Sequence, residues 1–134
     1  MILVDAGPMV ALLNADDTRH DDCIRALRSM REPLGTIWPA LTEAMHLLSP
    51  SWKAQGALWG RLASGVLVLL PLEAADHARM RELMEKYRDL PMDLADAALV
   101  RIGERERIAK IFTLDRRDFE RYRPRGIGHF TIVP

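Results

Sequence analysis

Short apolar segments that alternate with helical patterns are the feature that most constrains the fold of this chain. Four segments have the length and composition of buried strands, at residues 2–4, 35–38, 66–70 and 110–114, and residues 129–133 are a candidate for a final edge strand. Strands that alternate with helices pair in parallel and carry helices on both faces of their sheet. The pattern therefore predicts a three-layer α/β/α fold with a mainly parallel central sheet. At 134 residues, the chain has the length of a single domain spanning residues 1–134.

The segments between the strands carry apolar residues at helical spacing. A first helix follows Gly7-Pro8 and runs to Leu13, and Asp16, Asp17 or Thr18 offers a cap for the second. Further helices are predicted from Pro39, over residues 52–63, over residues 73–88, and from Pro91 to about Glu106. No repeat or linker divides the chain, which agrees with a single domain.

An acidic residue stands at or near the end of several apolar segments. Asp5 and Asp115 follow two strands directly, Glu43 lies in the helix after the second strand, and Asp93 and Asp96 begin a later helix. Because the carboxyl ends of parallel strands meet at one edge of a sheet, we expect these acids to converge. Converging carboxylates repel one another unless a cation neutralises them. Oxygen ligands suit Mg²⁺ or Mn²⁺, and the chemistry best matched is two-metal hydrolysis of a phosphodiester.

Each acid also has an ordinary structural explanation. Asp5 could cap the following helix, and Asp93 and Asp96 could be the N-cap and the third-position acid of theirs. Asp115 could form an Asx turn, and Glu43 could be an exposed helix residue. Considered together, the acids favour the site, since the i to i+3 spacing places Asp93 and Asp96 on one helical face.

The distribution of charge allows two interpretations. Nineteen basic and nineteen acidic residues give a net charge of zero, so no overall attraction to nucleic acid follows. Residues 101–125, however, contain nine basic and five acidic residues. This segment could hold a phosphate backbone, with Arg116 and Arg117 beside Asp115 contacting the strand, or it could form a salt-bridged surface.

The remaining features bear on compartment. Cys23 is the only cysteine, which excludes an internal disulfide. The first residues lack a basic signal-peptide region, and the longest apolar run, near residues 66–72, is far shorter than the ~20 residues of a membrane span. We expect a soluble cytoplasmic protein without a membrane partner.

Four motifs carry a resemblance to a known family. They are Ile-Leu-Val-Asp-Ala-Gly-Pro at residues 2–8, Leu-Thr-Glu-Ala at 41–44, Asp-Leu-Ala-Asp-Ala-Ala-Leu-Val at 93–100 and Thr-Leu-Asp-Arg-Arg-Asp-Phe at 113–119. In this order they resemble the acidic motifs of PIN-domain ribonucleases, and among these the VapC-like toxins of bacterial toxin–antitoxin pairs. The resemblance covers essentially the whole chain.

The resemblance implies a PIN-like fold and an endoribonuclease that depends on Mg²⁺ or Mn²⁺. The matching metal ligands and catalytic acids are Asp5, Glu43, Asp96 and Asp115; the matching accessory residues are Asp93, Asp118 and Thr113. Residue 6 is Ala where such domains usually carry Ser or Thr, so a hydroxyl that could support the metal site is missing. The resemblance further implies an RNA substrate, a cognate antitoxin and a homodimer, for which residues 52–63 offer a candidate interface.

Other functions fit the residues less well. A phosphatase with a nucleophilic Asp5 would need a second aspartate at position 7, where Gly7 stands, and no glycine-rich nucleotide-binding motif occurs. The serious alternative is a catalytically inactive PIN-like module that binds RNA or protein without cutting.

Overall fold

Five short strands, all parallel, form the central sheet in the order β3-β2-β1-β4-β5. The computed structural model describes all 134 residues. The strands are β1 (Ile2–Val4), β2 (Leu34–Thr36), β3 (Leu67–Leu69), β4 (Lys110–Phe112) and β5 (Thr131–Val133). In the register, Leu3 lies opposite Gly35 on one side and Ile111 on the other. The predicted α/β class is confirmed, and so is the edge strand at the end of the chain.

Seven helices flank this sheet. They are α1 (Ala6–Leu13), α2 (His20–Ser29), α3 (Trp38–Leu47), α4 (Trp52–Ala63), α5 (His77–Lys86), α6 (Leu94–Glu106) and α7 (Arg116–Phe119), and a short 3-10 turn over Ala74–Asp76 precedes α5. Helix α1 packs against α2, α3 and α4, while α6 packs against α5 and α3. None of the helices combines the length and apolar character needed to cross a bilayer.

The core lies between the sheet and these helices. Strands β1 and β4 contribute side chains that are almost fully buried, including Leu3, Ile111 and Phe112. Helix α6 is buried along most of its length, which explains its run of small and apolar residues from Ala95 to Ile102. Both central strands therefore end beside a buried helix, and any polar residue at that edge is drawn into a partly desolvated environment.

Several predicted boundaries were wrong. The predicted strand at 35–38 ends at Thr36 because Trp38 already begins α3, with Pro39 in its first turn. The helix predicted from Pro91 begins only at Leu94, where the Asp93 side chain caps it. The helix predicted over 73–88 is split into the 3-10 turn and α5.

The cap predicted for α2 was also wrong. Arg19 occupies the N-cap position, and no side chain caps the helix. Asp17 instead accepts a hydrogen bond of 2.8 Å from the Arg19 backbone N–H, in a turn that precedes the helix. The turn therefore satisfies a local donor just outside α2.

Candidate active site

Asp5 lies at the junction of β1 and α1. Its backbone N–H donates to the Phe112 carbonyl at 3.0 Å, which ties it to β4. One carboxylate oxygen accepts from the Ala6 N–H and the other from the Thr113 hydroxyl, both at 2.8 Å. Burial raises its pKa to about 6 against the effect of these hydrogen bonds, and the charges of Asp115 and Glu43 act in the same direction as burial. Asp5 therefore caps a helix and is also a member of an acidic group.

Thr113 links Asp5 to Asp115. It follows β4, where its N–H donates to the Val133 carbonyl at 3.0 Å. Its hydroxyl donates to Asp5 and accepts the Asp115 N–H at 3.0 Å. Asp115 is exposed as a whole residue. Its carboxyl is nevertheless partly desolvated, and this desolvation, followed by the charges of Asp118 and Asp93, raises its pKa.

Asp93 and Asp96 are held by the start of α6. The Asp93 side chain accepts the Asp96 N–H at 2.8 Å, which is the capping bond that orients this first turn. Asp96 is buried and accepts a hydrogen bond of 2.7 Å from the Tyr122 hydroxyl. Burial, followed by the charges of Asp93, Asp5 and Asp115, raises the pKa of Asp96 to about 8, although the Tyr122 hydrogen bond opposes the shift.

Glu43 reaches the same region from α3. Glu43 is exposed as a whole residue. Its carboxyl is nevertheless partly desolvated, and this desolvation, followed by the charges of Asp93 and Asp115, raises its pKa. Electrostatic repulsion thus connects five carboxylates, which we call the acidic cluster: Asp5, Glu43, Asp93, Asp96 and Asp115. No lysine, arginine or histidine forms a salt bridge with any of them. Asp118 acts on the cluster through Asp115.

The donor chemistry of the acidic cluster fits a hard divalent cation, since it consists of carboxylate oxygens without a cationic partner. No three acidic, histidine or cysteine side chains are arranged so that they could hold an ion together. Both carboxylate oxygens of Asp5 already accept hydrogen bonds. A cation of the size of Mg²⁺ keeps several waters, so it would need only one or two of these carboxylates directly.

The two arginines after Asp115 differ in their surroundings. Arg116 pairs with Glu120 at 3.3 Å and donates to the carbonyls of Ile132 and Pro134, so its guanidinium holds the end of β5 in place. Arg117 is exposed and forms no hydrogen bond or ion pair within the chain. Arg117 is therefore the freer of the two predicted RNA contacts.

Tyr122 is the site residue that the sequence analysis missed. It is fully buried and packs edge-on against Tyr87 and Phe119, with ring centroids 5.0 and 5.1 Å away. The one feature of the sequence that could have indicated Tyr122 is that it is an aromatic residue within an Arg- and Pro-rich connection. A tyrosine that is buried usually finds a hydrogen-bond partner for its hydroxyl, and here the partner is Asp96.

Ala6 is buried directly beside Asp5, and its side chain has no hydroxyl. The hydrogen bonds to Asp5 come instead from the Ala6 backbone and from Thr113. The orientation of Asp5 thus depends on Thr113 for its side-chain support.

An all-parallel α/β domain with clustered carboxylates beyond its central strands is the architecture of the PIN domain. The PIN domain family profile matches residues 2–123, and the chain belongs to this family. It is 30% identical over 135 residues to Ribonuclease VapC26 of Mycobacterium tuberculosis, an alignment that covers 99% of this chain and all of the relative. The predicted resemblance to VapC-like proteins is confirmed.

The fold is also similar to a solved structure. The crystal structure of VapC20, a sarcin–ricin loop cleaving toxin of Mycobacterium tuberculosis, matches with a TM-score of 0.76 at 22% identity. The match covers 83% of this chain and 87% of VapC20. At this identity, the similarity establishes the shared fold.

Proposed function

We propose that this protein is a toxin endoribonuclease that depends on Mg²⁺ or Mn²⁺, with Asp5, Glu43, Asp96 and Asp115 as its catalytic metal ligands. The observation that carries the proposal is the acidic cluster itself, which has no basic partner and in which the pKa values of Asp5, Glu43, Asp96 and Asp115 are raised. Such a cluster is costly to keep for structure alone, because burial and mutual repulsion both oppose its ionisation. The full-length similarity to Ribonuclease VapC26 supports RNA as the substrate.

When bound, a divalent cation supplies charge neutralisation at the phosphodiester and lowers the pKa of water. The chain's own residues position the acids for this chemistry. Thr113 and the Ala6 N–H hold both oxygens of Asp5, and Tyr122 orients Asp96. The exposed carboxylates of Glu43 and Asp115 face solvent, where a substrate phosphate can approach. Asp93 or Asp118 acts as an accessory acid that orients the attacking water.

The proposal includes partners. Arg117, with no partner in the chain, contacts the RNA strand, and unpaired RNA is favoured because its bases are accessible.

A cognate antitoxin inhibits the enzyme by placing an arginine or lysine in the acidic cluster, where a cation satisfies the carboxylates. We also propose a homodimer, and the exposed indoles of Trp52 and Trp59, 73% and 46% accessible, support α4 as its interface. The protein acts in the cytoplasm, where its RNA substrate is present.

The decisive experiment is single-turnover cleavage of a panel of labelled RNAs by the parent, by Asp5→Asn and by the control Asp16→Asn, which changes an exposed acid outside the cluster. We expect the parent to need Mg²⁺ or Mn²⁺ and to stop with EDTA. Asp5→Asn should lose at least about 100-fold in rate, since it removes a ligand charge with little change in volume. Cleavage by Asp5→Asn at the parent rate would overturn the assignment. A parent that binds RNA but never cuts it with Mn²⁺ would favour the inactive module.

The toxin role has its own test. Expression of the parent should slow bacterial growth, expression of Asp5→Asn at a matched level should not, and co-expression of the product of the neighbouring gene should restore growth. Equal growth on expression of the two proteins would contradict the toxin role, while the nuclease chemistry would still be judged by the cleavage assay.

A further inference from the structure

A shallow groove lies next to the acidic cluster, between the start of α3 and the start of α6. We call it the Trp38 groove, and it is lined by Trp38, Pro39, Thr42, Asp93, Leu94 and Ala95. Asp93 lies in both places, since it lines the groove and its side chain also accepts the Asp96 N–H at 2.8 Å. The groove is therefore continuous with the acidic cluster.

Two large apolar side chains stand exposed in this groove. Trp38 is 51% accessible and Leu94 is 52% accessible, so neither contributes its full surface to the core. The backbone beneath the indole is well held, because Pro39 lies in the first turn of α3 and the Thr42 hydroxyl donates to the Trp38 carbonyl at 2.8 Å. A single exposed apolar residue needs no explanation, but an indole and a leucine that share a groove form a small apolar surface.

The chemistry of the Trp38 groove suits a flat, uncharged ligand. Its only ionisable lining residue is Asp93, so the groove offers no cation to a phosphate or to an acidic peptide. An exposed indole can instead stack on the π-face of any nucleobase. A strand with one phosphate at the acidic cluster would carry its neighbouring base toward this groove.

Beyond the Trp38 groove, Leu94 also lines a second groove with His77, Met80, Arg81, Met84 and Glu85. Arg81 is exposed and forms no hydrogen bond or salt bridge within the chain. A basic side chain is thus available farther along the same surface, where a strand that passes over Leu94 would present its next phosphate.

We propose that Trp38 is a base-stacking residue: an unpaired nucleobase next to the scissile phosphodiester stacks on its indole and packs against Leu94. This inference rests on the RNA-cleaving function proposed above and identifies where that site holds its substrate. It makes Trp38 a determinant of which single-stranded position is cut, and it does not give Trp38 a role in the chemical step.

The first test uses the three tryptophans of the chain. Trp52→Phe/Trp59→Phe leaves Trp38 as the only indole, and Trp38→Phe leaves the other two. Both sets are made on the Asp5→Asn background, which blocks cleavage, and single-stranded oligoadenylate is added in the presence of Mg²⁺. Base stacking quenches indole fluorescence, so we expect saturable quenching of the Trp38-only protein and none of the Trp38→Phe protein. The absence of quenching in the Trp38-only protein would overturn the proposal.

The second test compares cleavage by Trp38→Leu and Trp38→Phe, with Val66→Ala as a control at an exposed apolar residue outside the groove. Loss of one stacked base costs roughly 1–3 kcal/mol, so Trp38→Leu should raise KM by about 10-fold and leave kcat within about twofold. Trp38→Phe should recover most of this loss, and Val66→Ala should behave as the parent. An RNA with an abasic residue beside the cleaved linkage should raise the KM of the parent by a similar factor. It should not raise the KM of Trp38→Leu further.

The outcomes separate this proposal from the proposed function. If the parent cleaves RNA and Trp38→Leu cleaves with the same KM, the stacking role fails alone. If the parent never cleaves but oligoadenylate quenches Trp38, the nuclease function fails and the base-stacking surface stands. If Trp38→Leu changes the sedimentation of the protein to that of a smaller species, the groove is a subunit interface and the proposal is wrong.

Discussion

Two groups of buried acids in this protein are balanced in opposite ways. In the acidic cluster, Asp5 and Asp96 have raised pKa values and no basic partner. The second group consists of Asp76, in the turn before α5, and Glu104, on α6, and we call these two residues the arginine-paired acids. They are also buried, but their pKa values are lowered. Since burial disfavours the charged form in both groups, burial cannot explain the difference between them.

The arginines explain the difference. Asp76 accepts from the Arg101 guanidinium at 2.7 Å, also pairs with Arg105, and accepts the Glu73 N–H at 2.8 Å, which outweighs the effect of its burial. Glu104 accepts three hydrogen bonds from the Arg79 guanidinium, the shortest 2.7 Å long, and the effect of its burial is likewise outweighed. The arginine-paired acids are thus satisfied by groups fixed in the chain. The acidic cluster lacks such groups, and an exchangeable cation is what could replace them.

Several arginines of the basic segment at 101–125 form ion pairs within the chain. Arg101 and Arg105 neutralise Asp76, and the Arg125 N–H donates to Glu104 at 2.7 Å while its guanidinium pairs with Glu82. These arginines support the fold. For them, the interpretation of residues 101–125 as a salt-bridged surface is the correct one. Arg117 remains available for a substrate phosphate.

The largest expected effect comes from neutralising one buried acid of each group. Asp76→Asn leaves the Arg101 and Arg105 guanidinium groups without a counter-charge, and it should lower the free energy of unfolding by about 3–5 kcal/mol. Asp96→Asn should leave stability unchanged or higher, because without a cation Asp96 is largely protonated at neutral pH. Its cleavage rate should fall by orders of magnitude, whereas Asp76→Asn should keep the parent rate per folded molecule. Urea unfolding and single-turnover cleavage provide the two measurements.

If Asp96→Asn destabilised the protein as much as Asp76→Asn, the two groups would be equivalent. The carboxylate of Asp96 would then have a structural role that its hydrogen bond to Tyr122 does not explain.

The two groups should also give the metal-free protein opposite responses to pH. Asp5 and Asp96 have pKa values raised from 3.8 to about 6 and about 8, so between these values and 3.8 the folded state binds more protons than the unfolded state. Stability should therefore fall, by up to a few kcal/mol, as the pH rises from about 4 to about 8 in EDTA. Asp76 and Glu104 have lowered pKa values, so their contribution is lost only when the pH falls below the ordinary carboxyl range.

Urea unfolding across this range measures the slope. The Asp5→Asn/Asp96→Asn protein should lose most of the decline toward high pH, whereas Glu82→Gln, at an exposed edge of the arginine-paired acids, should retain it. A slope that persists in the double variant would place its source outside the acidic cluster.

A smaller effect is expected from adding the cation. A divalent ion that binds only the folded state stabilises it by about 2.7 kcal/mol at 100 times its Kd, so Mg²⁺ or Mn²⁺ should raise Tm by several degrees at about pH 8. The shift should shrink at about pH 5, because protons compete for the same carboxylates. Thermal unfolding of Asp5→Asn should show little shift, and Glu82→Gln should respond as the parent. An equal response of Asp5→Asn would remove Asp5 from the ligand set.

The sequence revealed those parts of the molecule that depend on local order. Alternation of strands and helices was enough to predict the parallel sheet, and a carboxylate directly after a buried strand, as at Asp5, predicts an acid at the carboxyl edge of that sheet. The ends of β2 and the start of α6 were misjudged because Pro39 and the Asp93 cap shift each boundary by a few residues. Boundaries of this kind depend on which backbone donors find partners, which periodicity does not report.

Pairings between distant residues were beyond reach for a different reason. Tyr122 and Asp96 are 26 positions apart, and Asp76 is 25 positions from Arg101. Neither pair has a sequence pattern, because each is created when α6 packs against its neighbours. The sequence gives the number of charges in residues 101–125. Only the packed structure separates the arginines that pair with Asp76 from those, such as Arg117, that form no ion pair.

The smallest expected effect concerns the hydroxyl of Tyr122. Tyr122→Phe keeps the ring packing against Tyr87 and Phe119 and removes one hydrogen bond, so stability should fall by only about 1 kcal/mol. That bond favours the ionised form of Asp96, and its loss should raise the pKa of Asp96 further. Because metal binding competes with the proton, the rise of cleavage rate with pH should move to higher pH, and more Mn²⁺ should be needed near neutrality.

Tyr87→Phe is the matched control for this last comparison. Its hydroxyl accepts the Arg123 N–H at 2.9 Å within the same aromatic group and touches no acid. It should lose a similar amount of stability and leave the pH–rate profile in place. If Tyr122→Phe also kept the pH–rate profile of the parent, ionisation of Asp96 would not limit the reaction. Asp96 would then be a structural carboxylate, as Asp76 is.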